Sequence, residues 1–277
     1  MSAPKLMAVL AHPDDESMGF GGTLAKYAAQ GAEVSVLTAT PGDAGRFEGR
    51  APGSDGHPGA AALADIRRAE LRAAATTLGV GELITLDYRD QQLDRADPGE
   101  VVGTIARHIR RLRPDVVVTF GPDGAYGHPD HIAISQFATA AVVAAATPGP
   151  SDGKGHGPGE APHAVTKLYY LAWPGPAWQA FEAAFRRLVS RVDGHERQAT
   201  PWPEWAITTV IDTRDLWPTV WRAISCHASQ VAAYERLRNL PPAEHEALWG
   251  WQSFYRAFST VNGGRAREAD LFEGIRA

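Results

Sequence analysis

Two short segments of the 277-residue chain concentrate side chains that could carry out hydrolysis. The first reads AHPDDE at 11–16 and the second reads GPDGAYGHPDH at 121–131, so the tripeptide His-Pro-Asp occurs twice. One such tripeptide is typical of a capped turn. Two copies that meet in space would instead offer imidazoles and carboxylates to a divalent cation. The chemistry therefore depends on whether the fold brings both copies together.

The spacing within each segment lets its side chains point to one side. His12 and Asp15 are three residues apart in a turn, and His128 and His131 are three apart where a helix should begin. Residues i and i+3 share a helix face, and Pro129 suits the first position of that helix. Two imidazoles and one carboxylate around an open position form a hydrolytic zinc arrangement. A cation there would also relieve the repulsion between neighbouring carboxylates.

The expected order of elements places both segments at strand ends. β-branched runs alternate with alanine-rich amphipathic stretches, which predicts a Rossmann-like α/β fold with a mostly parallel sheet flanked by helices. Such sheets bind ligands beyond the carboxyl ends of strands where the strand order reverses, here between the first and fourth strands. We predict strands at 5–11, 33–40, 82–87 and 115–120, and helices at 22–30, 62–78, 99–113 and 128–146.

The rest of the chain has a different composition. Residues 40–60 and 147–162 are rich in glycine and proline, which predicts a loop at the rim of the site and a flexible loop, respectively. All eight tryptophans lie in the C-terminal part, 163–277, where packing explains them best. We treat 1–277 as one domain with a core at 5–146. Further predicted elements are a strand at 167–173, a helix near 177–191, a strand at 205–212 and a helix at 214–227.

Composition and charge narrow the classes of function. The net charge of −5 leaves no basic surface for nucleic acid. The single cysteine, Cys226, argues against a disulfide or a thiolate metal site and indicates a cytoplasmic protein. No apolar run approaches the roughly 20 residues that cross a bilayer, so we expect no membrane partner, and a homo-oligomer is left open. The first turn lacks the glycine fingerprint of nucleotide-binding folds and carries acids instead.

Together these motifs resemble a known enzyme family. AHPDDE, then GGTLAKYAAQGAEVSVLTATPGDAG, RRAELRAAATTLGV and YGHPDH, are similar to segments of the PIG-L/LmbE-like metal-dependent de-N-acetylases. That family deacetylates N-acetylglucosamine conjugates of phosphatidylinositol, inositol and malate. The resemblance covers about residues 5–135, and CHASQ at 226–230 shows a weaker similarity. It implies a zinc enzyme, with Fe²⁺ as an alternative metal, whose substrate is a small N-acetylated sugar conjugate.

The resemblance also implies roles for single residues. It makes His12, Asp15 and His131 the zinc ligands and Asp14 the general base. It implies that His128 stabilises or protonates the tetrahedral intermediate with Asp130 behind it, and that Tyr126 contributes to the oxyanion site. Arg67 and Asp90 match positions that contact the sugar. His227, in the CHASQ segment, is implied to line the pocket or to lie just behind it.

Some assignments remain open at this level. Glu16 is the next candidate for the base, and Arg46, in the long loop, could reach an anionic group on a substrate. An amidase of a larger thiol-sugar conjugate would use the same metal chemistry. A sugar-binding protein without catalysis is the alternative from another class, and it is disfavoured because the complete set of candidate ligands and acid-base groups is retained.

Overall fold

The computed structural model describes residues 3–147, 161–185, 189–192, 194–198, 200–230, 235–261 and 266–275. Its strands are β1 (Lys5–Leu10), β2 (Glu33–Thr38), β3 (Glu82–Thr85), β4 (Val116–Thr119), β5 (Lys167–Leu171), β6 (Ser190–Val192), β7 (His195–Arg197), β8 (Thr209–Asp212) and β9 (Trp251–Ser259). Seven of them form one sheet in the order β3-β2-β1-β4-β5-β9-β8, and β6 pairs with β7. The strands from β3 to β5 are parallel, whereas β9 runs antiparallel to both β5 and β8.

Helices pack in two groups around this sheet. They are α1 (Asp15–Met18), α2 (Gly21–Ala29), α3 (Ala60–Thr77), α4 (Pro98–Leu112), α5 (Gly124–Gly127), α6 (Pro129–Ala146), α7 (Gly175–Phe185), α8 (Trp217–Cys226), α9 (Glu235–Arg238) and α10 (Pro242–Trp249). In one group α4 packs against α6, and in the other α8 contacts α2 and α3. The α5 turn is distorted, because Ala125 has a φ of 63°. Among the described helices, none is both long and apolar enough to cross a bilayer.

The core lies around β1 and β4, which are neighbours in the sheet. Leu6 to Leu10 and Val116 to Val118 are completely buried, as expected for central strands covered on both faces. Capping residues and prolines define where the flanking helices begin. Asp97 caps α4 by accepting the N–H of Glu100 at 2.9 Å, and Pro98 and Pro129 occupy the first positions of α4 and α6.

The structure confirms the Rossmann-like prediction, and the first four strands and their helices lie within a few residues of the predicted ranges. The predicted helix at 177–191 is wrong in its last part, because α7 ends at Phe185 and residues 190–192 form β6. Residues 204–206 turn as a 3₁₀ helix, so the strand predicted at 205–212 begins only at Thr209. The sequence did not predict β9 or α10. Residues 148–160 of the predicted flexible loop lie outside the described residues.

Candidate active site and metal centre

Both His-Pro-Asp segments meet at one edge of the sheet. Because β1 and β4 are adjacent and parallel, the residues that follow them leave the sheet side by side. The ring centroid of His12 lies 4.8 Å from that of His128 and 5.2 Å from that of His131. The convergence expected from the order of elements is therefore present in the fold.

Donor atoms of three residues lie at the separations that a zinc ion requires. Nδ1 of His12 lies 3.2 Å from Nε2 of His131, and Oδ1 of Asp15 is also 3.2 Å from that Nε2. Nδ1 of His12 lies 3.7 Å from Oδ2, the other oxygen of the same carboxylate. Zinc bonds of about 2.0–2.1 Å in a tetrahedron place ligand atoms roughly 3.3 Å apart. The separations of His12, Asp15 and His131 thus fit a single bound ion.

The outer partners of both imidazoles orient the two nitrogens that face each other. His131 Nδ1 lies 3.3 Å from the carbonyl oxygen of Gly124, to which it donates. His12 Nε2 donates toward Asp130 at 3.1 Å and Asp90 at 3.2 Å. His12 Nδ1 and His131 Nε2 therefore face each other across 3.2 Å, and when neither carries a proton both can bind a cation between them.

The carboxylates around His12 and Asp15 favour a positive charge between them, either on an imidazole or on a bound cation. Burial lowers the pKa of His12, but the carboxylates of Asp130 and Asp90 outweigh burial and raise it well above its usual value. Burial raises the pKa of Asp15, yet His131 and His12 hold it below its usual range. Oδ2 of Asp15 also accepts the backbone N–H groups of Ala11 and His12, at 3.1 and 2.8 Å. The ionised carboxylate is therefore ready to bind a metal.

Asp14 adopts a backbone conformation that is rare for its residue type. Its φ is 103°, and its N–H donates to Oε2 of Glu16 at 3.0 Å. Oδ2 of Asp14 lies 3.3 Å from Nη2 of Arg67. Burial raises the pKa of Asp14 and Arg67 opposes the rise, with a net increase. A carboxylate with a raised pKa beside the candidate ligand Asp15 can accept a proton during catalysis.

Glu16 and His227 form a buried pair beneath Asp14. Both side chains are fully buried, with Nε2 of His227 2.8 Å from Oε1 of Glu16. Ser17 donates its hydroxyl to the same Oε1 at 2.6 Å. Glu16 is therefore not placed as the alternative base, since its oxygens are engaged inside the protein. His227 does not line either of the two cavities that Asp14, Asp15 and Tyr126 border, so the structure places it behind the site and away from substrate.

Arg67 is buried by the loop that follows β2. It donates to the carbonyl oxygen of Gly42 at 3.0 Å and to that of Pro13. Gly42 has a φ of +69°, and a Cβ there would overlap the guanidinium. Arg67 also lies within ion-pair distance of the candidate base Asp14, and its side chain lines the polar cavity of the site.

Asp130 supports a different histidine from the one that the resemblance implied. Its carboxylate contacts His12 and accepts the N–H groups of Gln91 and Leu93, at 2.7 and 3.1 Å. His128 instead receives the backbone N–H of Asp130 on Nδ1, at 3.2 Å. Burial, together with His12 and His131, lowers the pKa of His128 to about 3. The lowered pKa favours a neutral His128, and the N–H accepted on Nδ1 favours a proton on Nε2.

Most of the expected site residues line one polar cavity of about 740 Å³. Arg46 lies at its exposed rim, where its side chain donates to the carbonyl oxygen of Gly49. Tyr126 lies on the inner wall, with its ring centroid 5.3 Å from that of His131. The expected residues on the cavity wall are His12, Asp14, Asp15, Arg46, Arg67, Asp90, Tyr126 and His128, whereas Asp130, His131 and His227 are not part of it.

Sequence reasoning missed three residues that shape the site. Phe120 stacks on His131 with centroids 3.9 Å apart and fixes the ring plane. Gly124 supplies the carbonyl that holds the same imidazole, and Gln91, with a φ of 63°, brings its N–H to Asp130. An aromatic residue directly after the fourth strand was a visible signal. The backbone contacts of Gly124 and Gln91 leave no such mark in a sequence.

Comparison with known proteins identifies the family. The family described as PIG-L, GlcNAc-PI de-N-acetylase, matches residues 7–142. A 1D-myo-inositol 2-acetamido-2-deoxy-alpha-D-glucopyranoside deacetylase from Kineococcus radiotolerans is 35% identical, covering 98% of this chain and 83% of that protein. An enzyme of the same name from Rhodococcus jostii is 38% identical over 99% of both chains. The chain belongs to the PIG-L family. Like its named relatives, it is a de-N-acetylase acting on an amide.

Solved structures share the fold of this PIG-L protein more broadly. The N,N'-diacetylchitobiose deacetylase from Pyrococcus horikoshii has a TM-score of 0.65 at 22% identity, covering 92% of this chain and 84% of that one. GalB, a 4-carboxy-2-hydroxymuconate hydratase from Pseudomonas putida, has a TM-score of 0.67 at 22% identity, covering 94% and 99%. Because one fold carries a deacetylase and a hydratase, the detailed reaction must be argued from the site.

Proposed function

We propose that this chain is a zinc-dependent hydrolase that removes the acetyl group from an N-acetylglucosamine conjugate. The observation that carries the proposal is the convergence of His12 Nδ1 and His131 Nε2, 3.2 Å apart, beside the carboxylate of Asp15. The relatives named for an inositol glucosaminide make that conjugate the first substrate to test. The single cysteine supports a cytoplasmic location, and the C-terminal strands in the main sheet support one domain over 1–277.

His12, His131 and Asp15 would hold the metal. Nitrogen and oxygen donors suit Zn²⁺, and Fe²⁺ accepts a similar set. When bound, the ion polarises the amide carbonyl and lowers the pKa of water toward about 7. Asp130 and Asp90 orient His12: Asp90 directs one oxygen to the imidazole and the other to the N–H of Ala44, at 3.1 Å. We therefore assign Asp90 mainly to support of the ligand and not to sugar contact.

The protein's own groups account for the proton transfers. Asp14 accepts a proton from the attacking water as the water oxygen bonds to the carbonyl carbon. Tyr126 and the neutral Nε2–H of His128 donate hydrogen bonds to the oxygen on which negative charge develops. The C–N bond then breaks, and the proton held by Asp14 passes to the departing nitrogen. The products are acetate and the free amino sugar.

Arg67 has an electrostatic role toward the base. Its guanidinium lies 3.3 Å from Asp14 and is fixed by two backbone carbonyls. A fixed positive charge opposes the rise in the pKa of Asp14 that burial causes, and so favours the ionised carboxylate. The polar cavity, with Arg46 at its rim, provides room for the sugar and its aglycone. An anionic substituent on the aglycone would lie near Arg46.

An amidase acting on a larger thiol-sugar conjugate stays as the second candidate, because a cavity of about 740 Å³ exceeds the needs of one sugar ring.

A binding protein without catalysis is disfavoured by the strained Asp14 turn. Residues in such conformations persist where the surrounding structure enforces them, and they cluster at active sites.

The test is an amine-release screen with zinc-loaded protein. The panel contains N-acetylglucosamine, its α-linked inositol conjugate, its malate conjugate and a thiol-bearing amide of the inositol conjugate. We expect equal molar amounts of acetate and amine from at least one acetylated conjugate. Release from the thiol conjugate alone would favour the amidase, and no release from any zinc-loaded sample would contradict the proposal. An Asp14→Asn protein handled in parallel controls for contaminating enzymes.

A further inference from the structure

A second, apolar cavity of about 140 Å³ adjoins the reacting groups. Phe181, which is 3% exposed, forms part of its wall and stacks on Trp173 with centroids 4.3 Å apart. Phe185 continues the stack at 5.8 Å from Phe181. The other apolar residues of the wall are Met18, Gly19, Phe120 and Ala125.

The two cavities meet at the candidate catalytic groups. Asp14, Asp15 and Tyr126 line both of them, whereas His131 lines only the apolar one. An amide attacked beside Asp14 must direct one substituent into each cavity. The nitrogen side of the amide carries the sugar, which is polar, and the carbonyl side carries the acyl chain, which is apolar. Matching polarity places the sugar in the large cavity and the acyl chain in the small one.

We propose that the apolar cavity is an acyl pocket and that the enzyme hydrolyses glucosamine conjugates whose N-acyl chain is longer than acetyl. This inference rests on the proposed deacetylase function. The bond changes are those of deacetylation: the C–N bond breaks, water oxygen joins the acyl carbon, and the proton on Asp14 passes to the amine. The products are a short-chain fatty acid anion and the amino sugar.

The volume of the pocket sets the chain length. An apolar cavity of about 150 Å³ in another protein holds benzene, so this one has room for roughly six carbon atoms. The acetyl group offers it a single methyl. Each further methylene that enters apolar surroundings should improve binding about fourfold until the cavity is full. We expect butanoyl and hexanoyl substrates to be accepted and dodecanoyl to be rejected.

The residues that line the apolar cavity suggest which substitutions would change the accepted acyl chain length. Met18 is unbranched and fills irregular space, so Met18→Phe should narrow the pocket. Phe181→Leu should enlarge it, at some cost in stability because Phe181 packs against Trp173. Val143, 64% exposed on α6, lies outside both cavities and offers Val143→Leu as a matched control.

The experiment measures kcat/KM for α-linked inositol glucosaminides carrying acetyl, butanoyl, hexanoyl and dodecanoyl groups. We expect the butanoyl value to equal or exceed the acetyl value, with a loss of at least 100-fold at dodecanoyl. The hexanoyl to acetyl ratio should fall at least tenfold in Met18→Phe, rise in Phe181→Leu and stay unchanged in Val143→Leu. Zinc content measured on each variant excludes loss of the site.

A second measurement avoids turnover. Calorimetry with zinc-loaded Asp14→Asn should show tighter binding of the hexanoyl than of the acetyl conjugate, and Met18→Phe in that background should remove the difference. Hydrolysis of the acetyl substrate with a loss above 100-fold at butanoyl would overturn the acyl pocket and leave the deacetylase intact. Failure with every substrate would contradict the proposed function itself.

Discussion

Nε2 of His227 lies 2.8 Å from Oε1 of Glu16, and both side chains are completely excluded from solvent. The other oxygen of Glu16 accepts the N–H of Asp14, whose φ of 103° is unfavourable for any residue with a Cβ. A histidine 211 residues away in sequence from Glu16 therefore holds the turn that presents the candidate base. This contact links the C-terminal part of the chain to the first His-Pro-Asp segment.

Replacing His227 by alanine should be strongly destabilising. Glu16 would then remain as a buried charge without its partner, which typically costs about 3–5 kcal/mol of unfolding free energy. Glu16→Gln added to His227→Ala should recover part of that loss, because glutamine carries no charge and can still accept the N–H of Asp14. Urea unfolding of the zinc-loaded proteins measures both changes. A loss below about 1 kcal/mol in His227→Ala would show that the pair is not a significant support.

Metal content should separate ligands from their neighbours. Alanine at His12, Asp15 or His131 should abolish stoichiometric zinc binding, whereas His128→Ala should retain one equivalent. Asp130→Asn should weaken zinc affinity by about 10–100-fold, because its carboxylate orients the proposed ligand His12. Dialysis against zinc followed by elemental analysis gives the numbers. A full equivalent of zinc in His131→Ala would mean that the ligand set is wrong.

His128 and Tyr126 should affect turnover without affecting metal binding. Removing one donor to the developing oxyanion typically costs about 10²-fold or more, so we expect that loss in kcat/KM for His128→Ala and about tenfold for Tyr126→Phe. His128→Gln keeps an N–H group and should recover part of the rate. Because the pKa of His128 is lowered to about 3, its loss should leave the alkaline side of the rate profile in place. A flattened alkaline limb would restore the protonated form as the active one.

The sequence was most informative where chemistry depends on chain order. The proximity of His12 and His131 could be predicted because the order of elements makes the first and fourth strands neighbours. In the structure His12 Nδ1 lies 3.2 Å from His131 Nε2. Asp130 was assigned to the wrong imidazole, because its direction depends on the backbone N–H groups of Gln91 and Leu93. No residue pattern in the sequence encodes that contact.

The C-terminal part was harder to predict for a physical reason. Strand β9 reads WQSFYRAFS and inserts between β5 and β8, so its position follows from long-range pairing and not from a local pattern. Residue types alone therefore did not separate a buried antiparallel strand from a packing surface, and tertiary pairing decided the outcome.

Acid should weaken the attachment of this C-terminal part. Burial raises the pKa of Glu268, but hydrogen bonds from Lys167, Tyr169 and Thr209, at 2.7, 2.7 and 2.9 Å, lower it below its usual 4.5. A pKa lowered in the folded state means a contribution to stability that is present above about pH 4.5 and is lost as the pH falls through the folded value. Unfolding free energies from pH 7 down to 3 should show this loss.

Glu268→Gln provides the control for that titration. The variant should lack this component of the pH dependence, and at pH 7 it should be less stable by about 3–5 kcal/mol because Lys167 stays buried without its charged partner. Identical slopes against pH in the two proteins would show that Glu268 does not titrate as described.

The measurement that tests the central claim most directly is zinc content together with acetate release, for the wild-type protein and Asp14→Asn on the inositol glucosaminide. Asparagine preserves the shape of the side chain but accepts no proton from water. We expect one equivalent of zinc in both proteins, acetate release by the wild type that rises with pH through the raised pKa of Asp14, and at least about 10²-fold slower release by the variant. A zinc-loaded wild type without acetate release, or an Asp14→Asn variant with normal turnover, would contradict the account.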